Sequence, residues 1–155
     1  MRVIGIDPGT RIMGWCVLDG DIRAQNFIAG GIGKVGSKKP EKGLLKIYDT
    51  VSGLIEEYSP DILAIESPFF GLNTRTLIRL GEARGTILLA AAHAELSIES
   101  ITPAQAKMAL TGNGAATKEQ VAYMVKHLLK LDKQLPLDTT DAAAVAIAFL
   151  HRSEI

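Results

Sequence analysis

The sequence predicts an α/β domain in which helices cover both faces of a mixed five-stranded sheet. Residues 3–6 and 62–65 are short, continuous apolar runs, which are typical of strands buried on both faces. From residue 41 onward, apolar residues recur at spacings of three and four, which indicates amphipathic helices. The resulting order, β-β-β-α-β-α-β-α-α-α, implies a sheet of three antiparallel strands followed by parallel ones.

The first third of the chain indicates an antiparallel meander. Residues 12–18 form a second apolar run, and Asp19-Gly20 is a hairpin signal. We expect residues 22–31 to return as the third strand. Residues 30–40 are rich in Gly, Lys and Ser, which predicts a mobile loop with no second domain behind it.

Helices dominate the remainder of the chain. Small apolar residues make up almost the whole of the last helix, so we expect it to lie flat against the sheet. A Ser-Pro pair at residues 59–60 should end the first helix, since proline cannot continue it. The predicted elements here are helices at 41–58 and 77–91, a strand at 96–101, and helices that begin at Pro103, Thr117 and Asp138.

Composition limits the class of protein. The 155 residues are 47% apolar, which predicts one globular domain spanning residues 1–155 with a full core. We expect a cytoplasmic protein with no membrane contact, because no long apolar window and no signal-peptide pattern is present. Cys16 is the single cysteine, which excludes a disulfide framework. A net charge of zero argues against nucleic-acid binding unless the basic residues share one face; five lysines lie within residues 34–46 and three arginines within 75–84.

Four acidic residues follow or open apolar segments at three separate places. Asp7 ends the first strand and Glu66 ends the fourth, and parallel strands joined by a crossover helix bring their carboxyl ends to one edge of the sheet. Asp138 and Asp141 share one helix face, since they are three residues apart. The alternatives are a turn aspartate at Asp7 and helix capping at the last two positions.

Taken together, the four acids favour a metal site over capping. Crowded carboxylates raise each other's pKa unless a cation lies among them. Ligand sets that contain only oxygen suit Mg²⁺ or Mn²⁺. Two such ions, roughly 4 Å apart, activate a water and stabilise the leaving oxygen of a phosphodiester.

Motifs along the whole chain resemble the RuvC-type Holliday-junction resolvases, a branch of the ribonuclease H-like nucleases. Each motif by itself is short, but all occur in order at the family's separations. They are Ile4-Gly5-Ile6-Asp7-Pro8-Gly9 with Gly14-Trp15, Ala64-Ile65-Glu66 with Phe69 and Asn73, Gly81-Glu82-Ala83-Arg84-Gly85, Lys107, Thr111-Gly112-Asn113-Gly114-Ala115, Lys118-Glu119-Gln120-Val121, and Asp138 with Asp141.

The resemblance implies a ribonuclease H-like fold and a homodimer that cuts two opposed strands of a four-way DNA junction. It implies Mg²⁺ as cofactor, with Mn²⁺ able to substitute and two ions per active site. The RuvA-RuvB branch-migration complex is the implied protein partner. The family's catalytic and metal-binding acids fall on Asp7, Glu66, Asp138 and Asp141.

The resemblance also implies a set of DNA contacts. Two lysines fall on basic positions beside the scissile phosphate, and an aromatic residue falls where the family stacks near the junction centre. Ser67-Pro68 precedes two adjacent phenylalanines, so either of them is a candidate for stacking. The predicted substrate-binding residues are Phe69, Phe70, Asn73, Arg75, Lys107 and Lys118.

Three other functions compete with this interpretation. Asp7-Pro8-Gly9-Thr10 also matches the phosphate loop of actin-like ATPases and sugar kinases, but this chain supplies one such lobe where those enzymes need two. A binding module that recognises branched DNA without cutting it would be expected to lack at least one of the four acids. A resolvase relative that acts on RNA is the third alternative.

Overall fold

Five strands and five helices make up the part of the chain that the structure, a computed structural model, describes: residues 1–68, 71 and 73–152. The strands are β1 (Arg2–Asp7), β2 (Ile12–Gly20), β3 (Gln25–Lys34), β4 (Ile62–Glu66) and β5 (Ser97–Ile101). The helices are α1 (Pro40–Tyr58), α2 (Thr74–His93), α3 (Pro103–Thr111), α4 (Lys118–Leu128) and α5 (Leu137–Arg152).

One mixed sheet, in the order β3-β2-β1-β4-β5, forms the centre of the fold. β1 pairs antiparallel with β2 and parallel with β4, and the outer pairs continue the same directions. Helices α3, α4 and α5 pack on one face of the sheet, and α1 and α2 pack on the other. The predicted fold class is confirmed.

The central strand β1 is buried from both sides. Val3 packs into the core beneath α5, whereas Ile4 and Ile6 pack into the core beneath α1 and α2. All three side chains are fully buried. The continuous apolar run therefore has the predicted cause, because a strand covered on both faces needs apolar residues at successive positions.

Helix α5 lies unusually close to the sheet, and two glycines allow this approach. A Cβ at Gly5 would collide with the backbone oxygen of Ala142 and lie 2.9 Å from the Cβ of Ala146. A Cβ at Gly14 would collide with the backbone oxygen of Asp138. Because α5 presents small side chains and backbone to two glycines of the sheet, its backbone lies almost directly on β1 and β2. This confirms the predicted flat packing.

The β2–β3 connection differs from the prediction. The turn occupies residues 21–24, where the Asp21 side chain accepts hydrogen bonds from the backbone N–H groups of Arg23 and Ala24. β3 then runs to Lys34, so the expected loop at residues 30–40 is wrong for its first five residues. The glycines there belong to the strand because neighbours fill the space beside them: the side chain of Thr139 lies against Gly30 and that of Trp15 against Gly31.

Local capping signals were predicted correctly. Ser59 ends α1 in the left-handed conformation, with a φ of 44°. Pro103 opens α3, and Thr117 with Gln120 forms a complete capping box at the start of α4.

Cys16 is a fully buried core residue, and burial raises the pKa of its thiol to about 12. None of the helices in the described residues combines the length and the apolar character needed to cross a membrane.

We predict that Gly5→Ala lowers the free energy of unfolding by about 1–3 kcal/mol or more, because the added methyl group overpacks the contact between β1 and α5. Gly53→Ala is the matched control. That glycine is exposed within α1 and has nothing within 4 Å of an added Cβ, so alanine there should stabilise by about 0.5–1 kcal/mol. Urea unfolding of both variants measures the difference. Equal effects would show that α5 does not approach β1 as closely as described.

Candidate active site

Asp7 and Glu66 lie side by side at one edge of the sheet. The parallel register of β1 and β4 pairs the residues immediately before them, so the two acids end neighbouring strands at the same level. Side chains alternate along a strand, and both acids fall on the face of Gly5 and Ala64, which pack under α5. The two carboxylates therefore point towards the same helix, as the crossover argument predicts.

The first turn of α5 brings the other two acids to the same place. Thr139 is fully buried and donates a hydrogen bond to the backbone oxygen of Gly31 at 3.0 Å, which attaches this turn to β3. The neighbouring Asp138 has its backbone against Gly14 of β2. Asp138 and Asp141 consequently face the carboxyl end of β1, where their charges act on Asp7.

The carboxylates interact directly. Asp7 and Glu66 are hydrogen bonded to each other through their side chains. Burial, followed by the nearby charge of Glu66, raises the pKa of Asp7 from 3.8 to about 8. Burial is also the main cause of the raised pKa of Glu66 and of Asp141. Asp7 is thus one of a group of interacting acids, which the turn-aspartate alternative does not explain.

Two lysines from the helices beside α5 complete the charge pattern. Lys118, the first residue of α4, places its Nζ 3.7 Å from Oδ2 of Asp141. Lys107 of α3 also acts on Asp141 and on Glu66, and both lysines lower the pKa of these acids against the effect of burial. The Lys118 side chain is 64% exposed, so it remains able to contact a phosphate.

A single cleft of about 1100 Å³ joins these groups. Carboxylates line one part of it, and cationic side chains from three different helices line the rest. Its lining residues include Asp7, Glu66, Ser67, Arg84, Thr102, Lys107, Lys118, Asp138 and Asp141. The four acids and both lysines that the sequence singled out therefore meet in one cleft.

The chemistry of the acids suits a hard divalent cation. Among the described residues, no group of three or more His, Cys, Asp and Glu side chains has the arrangement of a preformed metal site. The cleft nevertheless contains four carboxylates and no nitrogen or sulfur donor from His or Cys. Burial is the main cause of the raised pKa of Asp7, Glu66 and Asp141, and oxygen-only donors are what Mg²⁺ and Mn²⁺ prefer.

The remaining predicted DNA contacts lie outside the cleft or outside the described residues. Phe69 and Phe70 are not among the described residues. Asn73 is the N-cap of α2, with its side-chain oxygen accepting from the backbone N–H of Thr76 at 2.9 Å. Arg75 is exposed at the start of α2 and borders a separate shallow depression. The structure does not bring Asn73 or Arg75 into the cleft lining.

Arg84 lines the cleft, although it was not among the predicted site residues. It lies on α2, half-buried between the buried Ala83 and the exposed Gly85. The motif that contains it was recognised, but no function followed from the motif alone. The available signal was a charged residue directly beside the apolar stripe of a helix.

Comparisons with known proteins agree with this geometry. A family model described as crossover junction endodeoxyribonuclease RuvC matches residues 3–149. The RuvC proteins of Sulfurovum sp. (strain NBC37-1) and Aliarcobacter butzleri (strain RM4018) are each 38% identical over 153 residues, which is 98% of this chain and 96% and 99% of theirs.

Solved structures show the same similarity. The Thermus thermophilus RuvC structure is 30% identical, with a TM-score of 0.90 and coverage of 99% of this chain and 95% of that one. T. thermophilus RuvC in complex with Holliday junction substrate is 28% identical, with a TM-score of 0.89 and coverage of 99% and 94%. A yeast mitochondrial Holliday junction resolvase, 14% identical with a TM-score of 0.71 over 97% of this chain and 78% of that one, shares the fold.

We predict that stability in chelator falls as the pH rises from about 4 to about 8. The folded protein keeps a proton on Asp7 in this window, whereas the unfolded chain has released it, so raising the pH favours unfolding. Asp7→Asn should remove much of this slope and raise the free energy of unfolding at pH 8. Urea titrations at pH 5 and pH 8 measure both effects.

The control for this prediction is Asp49→Asn, which changes an exposed acid on α1. This variant should keep the wild-type dependence on pH. If Asp7→Asn also kept the full dependence of stability on pH, Asp7 would not be the group whose raised pKa causes that dependence.

Proposed function

The chain belongs to the RuvC family of crossover junction endodeoxyribonucleases, and we propose that it resolves four-way DNA junctions by cutting two opposed strands symmetrically. Relatives of this family are named as endonucleases, and one solved relative is a complex with Holliday junction substrate. The observation that supports the proposal most directly is the meeting of four acids and two lysines in one cleft. This arrangement suits phosphodiester hydrolysis in DNA recombination and repair.

We propose that Asp7, Glu66, Asp138 and Asp141 hold Mg²⁺, with Mn²⁺ able to substitute and two ions per site. When bound, the ions would supply Lewis-acid stabilisation of the phosphate and would lower the pKa of a coordinated water. The carboxylates of Asp7 and Glu66 would then be fully ionised, since a cation among them favours the charged form and opposes the effect of burial on their pKa.

The protein's own side chains divide the remaining work. Lys107 and Lys118 face the acids from α3 and α4, and they would stabilise negative charge that develops on the scissile phosphate. The exposed Nζ of Lys118 can leave Asp141 for a phosphate oxygen without a large desolvation cost. Phe69 or Phe70, which follow Pro68 in the sequence, would stack on an unpaired base near the junction centre.

Symmetric cleavage requires two such clefts. We propose a homodimer, because two identical sites related by a two-fold axis match the pseudo-symmetry of a four-way junction. The RuvA-RuvB branch-migration complex is the proposed protein partner, and the cytoplasm is the proposed location. Asn73, the N-cap of α2, and Arg75, in its first turn, lie outside the cleft lining and would contact DNA arms beyond the cleaved strand.

We predict that Asp7→Asn lowers the rate of junction cleavage by more than about 100-fold while junction binding stays near the wild-type level. A change of a direct ligand should exceed the 10–100-fold effect typical of groups that only support ligands. Asp49→Asn should cleave normally. The measurement is the rate of nick formation on a four-way junction labelled on each strand in turn, with Mg²⁺, with Mn²⁺ and in chelator.

Three outcomes of this experiment would argue against the proposal. Cleavage in chelator would exclude the metal site. Binding without cleavage by the wild-type protein in both metals would indicate a binding module. Cuts in one strand only, in every junction, would contradict the symmetric dimer.

A further inference from the structure

The guanidinium of Arg84 has few partners inside the cleft. Its Nη2 donates a hydrogen bond to the Oγ of Ser100 on β5, at 2.7 Å. Its Nε is buried and has no hydrogen-bond partner. Burying a donor of a charged group without a partner costs stability, so the single hydrogen bond to Ser100 holds this guanidinium less well than a fully paired arrangement would.

Arg2 shows how a structural arginine of the same protein is held. Its guanidinium donates to the backbone oxygen of Tyr58 at 2.9 Å and to a carboxylate oxygen of Asp19 at 3.1 Å. Arg2 therefore has its charge compensated by an acid, although its Nε is also unpaired. Arg84, in contrast, is attached to a neutral hydroxyl.

No acid neutralises Arg84 among the described residues. The ion pairs in that part of the chain join Asp19 to Arg2 and to the N-terminus, and Lys118 to Asp141. The charges that act most strongly on Glu66 and Asp141 come from other acids and from lysines, without Arg84 among them. The positive charge of Arg84 is thus available to an anion that enters the cleft.

Arg84 reaches the cleft from the opposite side of the sheet to the lysines. It belongs to α2, which packs with Ile98 on the face away from α5. Its partner Ser100 lies on the same face of β5 as Ile98, whereas the adjacent Ile101 points to the α5 face together with the acids. The acids in the cleft therefore have Arg84 on one side of the sheet edge and the two lysines, Lys107 and Lys118, on the other.

We propose that Arg84 binds a phosphate of the cleaved strand next to the scissile one, and that Ser100 holds the guanidinium in the orientation for this contact. The proposal rests on the nuclease function proposed above. The planar fork of an arginine can bind one phosphate through two parallel N–H groups, and its two Nη groups form such a pair at the end of the side chain. Arg84 is a positioning residue, because fixing the adjacent phosphate places the scissile one against the acids.

The test combines variants of Arg84 with single neutral phosphates in the substrate. Four-way junctions carry one methylphosphonate at successive positions around the cut, and cleavage rates are measured under single-turnover conditions. The variants are Arg84→Met, which keeps the length of the side chain without its charge, Arg84→Lys, and Ser100→Ala. Arg23→Met is the control, since Arg23 lies exposed in the β2–β3 turn, at the other end of β2 from the cleft.

We expect one position beside the cut where methylphosphonate slows cleavage by the wild-type protein about tenfold or more, because the neutral phosphate loses a charge-assisted hydrogen bond. Arg84→Met should be slowed by a similar factor on the unmodified junction and show no further loss at that position. Arg84→Lys should recover part of the rate, and Ser100→Ala should give an intermediate loss. Arg23→Met should behave as wild type at every position.

The proposal would be overturned if the losses caused by Arg84→Met and by methylphosphonate multiplied at every position. It would also be overturned if Arg84→Met cleaved the unmodified junction within twofold of the wild-type rate. Thermal unfolding of each variant separates a folding defect from a contact, because removing a poorly paired buried charge should not lower the melting temperature. A melting temperature that falls in Arg84→Met and Arg84→Lys alike, with wild-type phosphate dependence, would show a structural role.

Failure of the nuclease proposal gives a different result. If the wild-type protein cut no junction, the proposed function would fail, while junction binding in chelator would still test the phosphate contact. Loss of one phosphate contact should reduce the slope of log affinity against log salt by about 0.9 in Arg84→Met and leave it unchanged in Arg23→Met. An unchanged slope in Arg84→Met would refute the contact whether or not the protein cleaves.

Discussion

The contact between α5 and the strands β1 and β2 determines where the chemistry of this protein lies. Gly5 and Gly14 leave the helix backbone against the sheet, and no larger residue fits at either position. Ala146 of α5 follows from the same constraint, since its Cβ faces Gly5 and a longer side chain there would lift the helix. This close approach holds Asp138 and Asp141 over the end of β1, within electrostatic reach of Asp7.

The same approach creates a concentration of negative charge that the fold itself does not neutralise. Buried carboxylates are costly unless they are paired, and here burial and mutual repulsion raise the pKa of three of them. The core below them is large and continuous on both faces of the sheet, so it can sustain this local cost. The fold thus carries an energetic cost at the site where a divalent cation and a phosphate would bind.

Most of the fold was predictable because its signals are local. β1 and β4 were recognised by their continuous apolar runs, and α4 by its capping box. The end of β3 was not, because Gly30 and Gly31 are typical of a loop by composition and become a strand through Trp15 and Thr139, which are distant in sequence. Arg84 was not predicted for a similar reason: its proposed role depends on Ser100, a partner on another element. Asn73 was predicted to contact DNA, and its visible local role is to cap α2.

The account depends on the claim that the four acids together bind divalent ions at the end of β1. The most direct measurement is the anomalous scattering of a crystal soaked in Mn²⁺ at a concentration that supports cleavage. We predict anomalous density within coordinating distance of both Asp7 and Glu66, and a second peak beside Asp138 or Asp141. Density that is absent from the neighbourhood of Asp7, while the soaked protein still cleaves DNA in solution under the same conditions, would contradict the account.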